Sequence, residues 1–258
     1  MAGMNVITDP WFYAVAFPAV VMLGLSKGGF SGIGMVSTPL LALTMPPLQA
    51  AAILLPIILL QDAMSVWVYR RQWDAWNLKV MLPGAVVGVG AAWTFAAYMS
   101  DAWILLVVGL IGLALVAYVW LGPAPKKIQP RPNTIYGACC GALAAFTSTL
   151  IQIGAPPYYV FVLPQRLDKM VYVATTIWFF AAVNAMKVIP YFALGQFSAS
   201  GLATSAVLFP LAIASNFLGI WLVRITPQEL FYRITYIIVL LLSLELTRRG
   251  LFGLIWPS

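Results

Sequence analysis

From Gly24 to Pro39 the chain reads GLSKGGFSGIGMVSTP, placing Ser26, Lys27 and Ser31 among five glycines in eleven residues, Gly24, Gly28, Gly29, Gly32 and Gly34. A lysine ammonium, two hydroxyls and the backbone N–H groups freed by an interrupted helix are the donors that a small oxyanion needs. Ser26, Lys27, Gly28, Gly29, Ser31, Gly32 and Gly34 are therefore candidate anion-binding positions, with free N–H groups expected where the segment from Gly34 begins. Lys27 has an alternative reading as an interfacial cation. A second polar stretch, Thr147-Ser-Thr-Leu-Ile-Gln-Ile-Gly-Ala-Pro-Pro157, adds Thr147, Ser148, Thr149, Gln152 and Gly154. Its hydroxyls have the alternative of bonding back to their own backbone.

Asp62 stands about eight residues from Arg70 and Arg71, roughly 12 Å at helical rise, which is too deep for its carboxylate to reach water. An acid at such depth is a proton-coupling group or a helix-to-helix latch; the alternative is a hydrogen-bonded packing residue. Gln61 must face another way. Asn184 lies at the corresponding place in the second half of the chain, and Lys187 is one turn further on the same helical face. Lys187 is also three residues from Pro190, so an interfacial anchor competes there with substrate contact. Histidine is absent, which removes most metal, haem and imidazole acid–base chemistry. Cys139 and Cys140 are adjacent and cannot supply spaced zinc ligands; passive packing or a thiol beside a substrate path are the two readings. A Ser–Lys dyad around Lys27 is the one enzymatic possibility and a weak one. The chain is read as a non-enzyme needing no cofactor and no metal, and the absence of a P-loop leaves an ion gradient or the substrate gradient as driving force.

The elements that must position these groups are membrane helices. In 258 residues, 62% are hydrophobic and 8% charged, too few polar side chains to cover a soluble fold. Apolar stretches of about 20 residues favour helices over the shorter alternating strands of a barrel. The first residues show no removable signal peptide. The net charge of +7 reads as a topology signal and not as a nucleic-acid surface.

In order, Trp11 to Leu25 is apolar and leads into the glycine-rich break, and Gly34 to Thr44 is a short piece. Spans follow at Ala50 to Tyr69, Leu78 to Tyr98 and Trp103 to Leu121. After a polar connection, Ile135 to Leu150, the second break and Tyr158 to Leu163 repeat the opening, and spans to Ile189, at Phe197 to Val223 and at Leu230 to Leu246 complete the chain. Gly32 precedes Asp62 by 30 residues and Gly154 precedes Asn184 by the same interval; Pro83 and Pro210 fall within the next spans. This is an internal repeat: residues 1–121, a cytoplasmic linker 122–133, and residues 134–258. Putting Arg70, Arg71, Lys79, Lys126, Lys127, Arg131, Arg166, Lys169, Arg224 and Arg233 on the cytoplasmic side makes each half a broken, re-entrant pair plus three full spans. An odd number of crossings inverts the halves. The fold class is an all-α polytopic membrane protein, a helical bundle of two inverted repeats, in the cytoplasmic (inner) membrane.

Gly24-Leu-Ser-Lys-Gly-Gly-Phe-Ser-Gly-Ile-Gly with Thr38-Pro39-Leu-Leu, the later Leu82-Pro-Gly-Ala-Val-Val-Gly88 and the fainter echo in the second half resemble the sulfite exporter TauE/SafE family. The resemblance implies a secondary transporter, an exporter of sulfite or a related organosulfur anion, whose partners are the lipid bilayer and a small sulfur-containing anion. The residues themselves reach only as far as a small oxyanion, and an anion channel is the alternative.

Overall fold

The computed structural model describes residues 6–30, 33–41, 43–45, 47–95, 100–121, 132–193, 195 and 197–255. Among them every regular element is helical: α1 (Pro10–Gly28), α2 (Ser37–Leu41), α3 (Pro47–Val68), α4 (Ala75–Phe95), α5 (Asp101–Leu121), α6 (Thr134–Ile151), α7 (Ala155–Val162), α8 (Lys169–Ala193), α9 (Ala199–Ile225) and α10 (Gln228–Ile255), with 3-10 turns at Ile33–Val36 and Leu163–Gln165. Helices α1, α3, α4, α8, α9 and α10 are long and apolar enough to cross a membrane, and α5 and α6 carry shorter apolar stretches, Ala102–Ala117 and Thr134–Leu150. The chain is an all-helical, multi-pass membrane protein. Most of the 122–133 connection lies outside the described residues, as do Ser31 and Gly32.

Two compact units form, one from Met1–Gln72 with Thr176–Pro227, the other from Trp73–Thr175 with Gln228–Ser258. In the first unit α1 packs along α9, and α3 packs against both. Small residues set how closely these helices approach, because apolar burial discriminates little against lipid and van der Waals fit carries the association. A Cβ on Gly28 would stand 2.6 Å from the backbone of Gly219, and one on Gly24 would collide with the Ser215 side chain. This corrects the expected position of the first break. Gly24 and Gly28 lie one turn apart inside α1 as a contact face for α9, and the helix ends only at Gly29, whose φ of 136° disfavours a side chain.

After Gly29 the chain folds back along α1. Gly34 seats against Ser26, and the Ser37 hydroxyl donates to the Ala19 carbonyl at 2.8 Å. Phe12, Ala16, Val20 and Leu23 of α1 meet Leu41, Ile53, Leu54, Ile57 and Leu208 in a buried apolar cluster.

In the second unit α4 lies along α6 and α5 along α10. Gly84 and Gly88 face the carbonyl oxygens of Ala138 and Ala142, the same small-residue device. Here too the break is narrower than the sequence implies. Thr147, Ser148 and Thr149 remain helical in the last turns of α6, and only Gln152, Ile153 and Gly154 interrupt it. Gln152 adopts a left-handed φ of 58° and its N–H donates to the Ser148 carbonyl at 3.1 Å. α7 then folds back on α6.

Candidate functional site

The end of a helix leaves four carbonyls without intrahelical partners, and where that end is packed against other helices they must find partners there. All four at the end of α1 are satisfied. The N–H groups of Phe30 and Gly29 donate to Leu25 and Ser26, each at 3.1 Å. The other two are reached from α3, whose residues 62, 65 and 69 share one face by their spacing. The Ser65 hydroxyl lies 2.7 Å from the Lys27 carbonyl and 3.0 Å from Asn216 Oδ1, sharing its one proton between them, and the Tyr69 hydroxyl donates to the Gly28 carbonyl at 2.9 Å. The N–H of Gly29, one of the candidate anion-binding positions, is thus committed to the cap.

That cap presents Lys27 to Asp62, the third residue of the same α3 face. Lys27 Nζ stands 2.8 Å from Asp62 Oδ1, an ion pair without hydrogen-bond alignment. The other carboxylate oxygen, Oδ2, accepts from Asn184 Nδ2 at 2.7 Å, and Asn184 Oδ1 accepts from Lys187 Nζ at 3.0 Å. Four side chains from three helices therefore run in sequence: Lys27, Asp62, Asn184, Lys187. The Asn184 amide turns its donor end to the carboxylate and its acceptor end to the Lys187 Nζ. Lys187 is fully buried, and α8 continues past Pro190 to Ala193. Asp62 is the only acid in the sequences of α1, α3, α8 and α9. One carboxylate thus pairs with Lys27 directly and is linked to Lys187 through Asn184.

Gln61 does face another way, as its adjacency required. Its Nε2 donates to the Ala212 carbonyl at 3.1 Å, and its own carbonyl accepts from Asn216 Nδ2 at 3.1 Å, which ties α3 to α9 beside the charged group. A cavity of about 340 Å³ opens elsewhere in this unit, between Gln49, Ser198, Ser200 and Ile7. Ile53 of α3 lines it, on the same helix as Asp62. Ser65, Tyr69 and Asn216 join the site without having been candidates in the sequence. The spacing of Ser65 and Tyr69 from Asp62 was the signal for the first two.

The second unit holds the other candidates. The Thr147 and Thr149 hydroxyls donate to their own helix, to Leu143 at 2.9 Å and Ala145 at 2.7 Å, which commits two of the protons offered to an anion. Ser148 is buried, Gln152 half-buried, and Gly154 is the N-cap residue of α7. Cys139 is exposed on α6 and Cys140 buried.

The family model described as "Sulfite exporter TauE/SafE" matches residues 16–246, a stretch that contains the α1 break and all four members of the charged group. Searches of curated proteins and of solved structures find no match.

Proposed function

Because the chain belongs to the sulfite exporter TauE/SafE family, we propose that it exports sulfite or a small sulfonate across the cytoplasmic membrane, as a secondary transporter working by alternating access. The observation that carries this reading is Lys27, whose ammonium lies 2.8 Å from Asp62 in a group that Asn184 extends to Lys187. Ionisable side chains inside membrane spans mark substrate and ion pathways. A substrate anion's oxygens accept from the Lys27 ammonium in a medium where charge-assisted hydrogen bonds are strong.

Inverted halves are supported by how the elements pair. The 122-residue shift from Asp62 to Asn184 maps α1 onto α6 and α4 onto α9, so α1 with α9 and α4 with α6 are counterparts. Each pair is joined through small residues, and each opening helix is followed by a short one folded back along it. Two such halves rocking about a central site would expose it alternately to either face. The enclosed charged group fits an occluded stage of that cycle, and Asp62 is the residue to carry a coupled proton.

Calorimetric titration of the purified protein with sulfite, a small alkanesulfonate, sulfate and chloride tests the substrate. Sulfite or the sulfonate is expected to bind at least about tenfold more tightly than chloride. Equal affinity for all four would remove sulfur-anion transport as the function.

A further inference from the structure

Lys27 is held by a carboxylate of its own chain at the place where the transport reading puts a substrate. Asp62 turns one oxygen to the Lys27 ammonium at 2.8 Å and the other to the Asn184 amide at 2.7 Å. The two oxygens have different partners on different helices, so one contact can break while the other holds. Asp62 is also deeply buried, 3% exposed, and a carboxylate that loses its ammonium there cannot turn to water for compensation.

We propose, resting on the transport function above, that Asp62 is the built-in competitor of the substrate: the incoming anion takes its place on Lys27, and Asp62, still tethered to Asn184, accepts one proton. One negative charge and one proton enter together. Before the exchange Lys27 is balanced by ionised Asp62; afterwards it is balanced by the anion, and Asp62 is a neutral acid. The proton comes from water on the side to which the site is open and ends on a carboxylate oxygen. No covalent bond other than that O–H forms, and the charge of the group is unchanged. Release reverses each step, with Asp62 giving up its proton as it recaptures Lys27 and so expelling the anion.

Few other charged groups stand near Asp62. α1 brings Lys27; α8 brings Asn184 and, beyond it, Lys187; α9 has Arg224, in its last turn, as its only charged residue; on α3 itself the next charges are Arg70 and Arg71, past its end. Of these groups Asp62 alone pairs with Lys27, which makes it the group placed to exchange a cation for a proton.

Calorimetry of the wild-type protein with a small alkanesulfonate, singly charged throughout the working range, in two buffers of different ionisation enthalpy counts the protons taken up on binding. One proton per anion is expected. Asp62→Asn keeps an oxygen for the Asn184 amide but removes the competing charge, so it should bind the sulfonate about tenfold more tightly or better. In proteoliposomes it should lose the acceleration of flux by a pH gradient and gain a dependence on membrane potential. Binding with no proton uptake, or an Asp62→Asn affinity equal to or weaker than wild type, overturns the exchange and leaves the transport function intact. Failure of the wild type to bind sulfite or the sulfonate overturns both.

Discussion

Lys27→Met should yield a protein that melts earlier and binds no sulfite, and adding Asp62→Asn should restore the melting temperature without restoring the binding. The single change strands an ionised carboxylate that is 3% exposed and still held by Asn184. Breaking a buried ion pair by removing one partner costs about 3–5 kcal/mol. The lower end applies, since the Lys27 side chain is 14% exposed and its half of the pair is partly screened. Replacing both members with uncharged side chains of similar size removes the stranded charge, and such double replacements are often neutral. Binding behaves differently, because the ammonium that meets the anion is gone in both proteins. Losing one buried charge partner costs about 2–5 kcal/mol, on the order of a hundredfold in affinity. Thermal unfolding in detergent and calorimetric titration read the two effects separately. A double variant that binds sulfite like the wild type would remove Lys27 from the site.

Gly28→Val should be the most damaging change in the first unit that touches no charge. The new Cβ meets the Gly219 backbone at 2.6 Å, and backbone cannot move aside as a side chain can. α1 and α9 must part, and overpacking of this kind costs about 1–3 kcal/mol or more. The displacement also pulls the Lys27 and Gly28 carbonyls away from Ser65 and Tyr69, at about 1 kcal/mol for each hydrogen bond weakened. A loss of about 3–5 kcal/mol in unfolding free energy is expected from these terms together, with sulfite binding lost as Lys27 shifts away from Asp62. Gly90→Ala is the control. Nothing stands within 4 Å of its added Cβ on the surface of α4, so it should leave binding unchanged and gain up to about 1 kcal/mol from helix propensity. If the two glycine variants melted together, close packing would not be what holds α1 in place.

Much of this was legible in the sequence, for identifiable reasons. Apolar length fixed the spans, and the depth of Asp62 marked it as a residue needing a partner. The shared interval from Gly32 and Gly154 put Asn184 in register with Asp62, and helical spacing put Lys187 on the same face. What could not be read was that Lys27 and Asp62 meet, because contact between helices leaves no periodicity in one chain. The glycines misled for a related reason. Gly24 and Gly28 carry the composition of a break, but glycine serves close helix contact as well as chain reversal, and the choice depends on Ser215 and Gly219, about 190 residues away in sequence. Thr147 and Thr149 look like donors in sequence, yet each hydroxyl finds a carbonyl one turn back.

The central claim is that Lys27 holds a sulfur anion while the protein carries it across a membrane. Counterflow of radiolabelled sulfite into proteoliposomes preloaded with unlabelled sulfite tests it, comparing the wild type with the Lys27→Met, Asp62→Asn double variant. The wild type should accumulate label transiently above its equilibrium level, the mark of a carrier that exchanges one anion for another, and the double variant should match protein-free vesicles. Equal counterflow by both proteins, or wild-type sulfite entry as an electrical current with no exchange, would contradict the account.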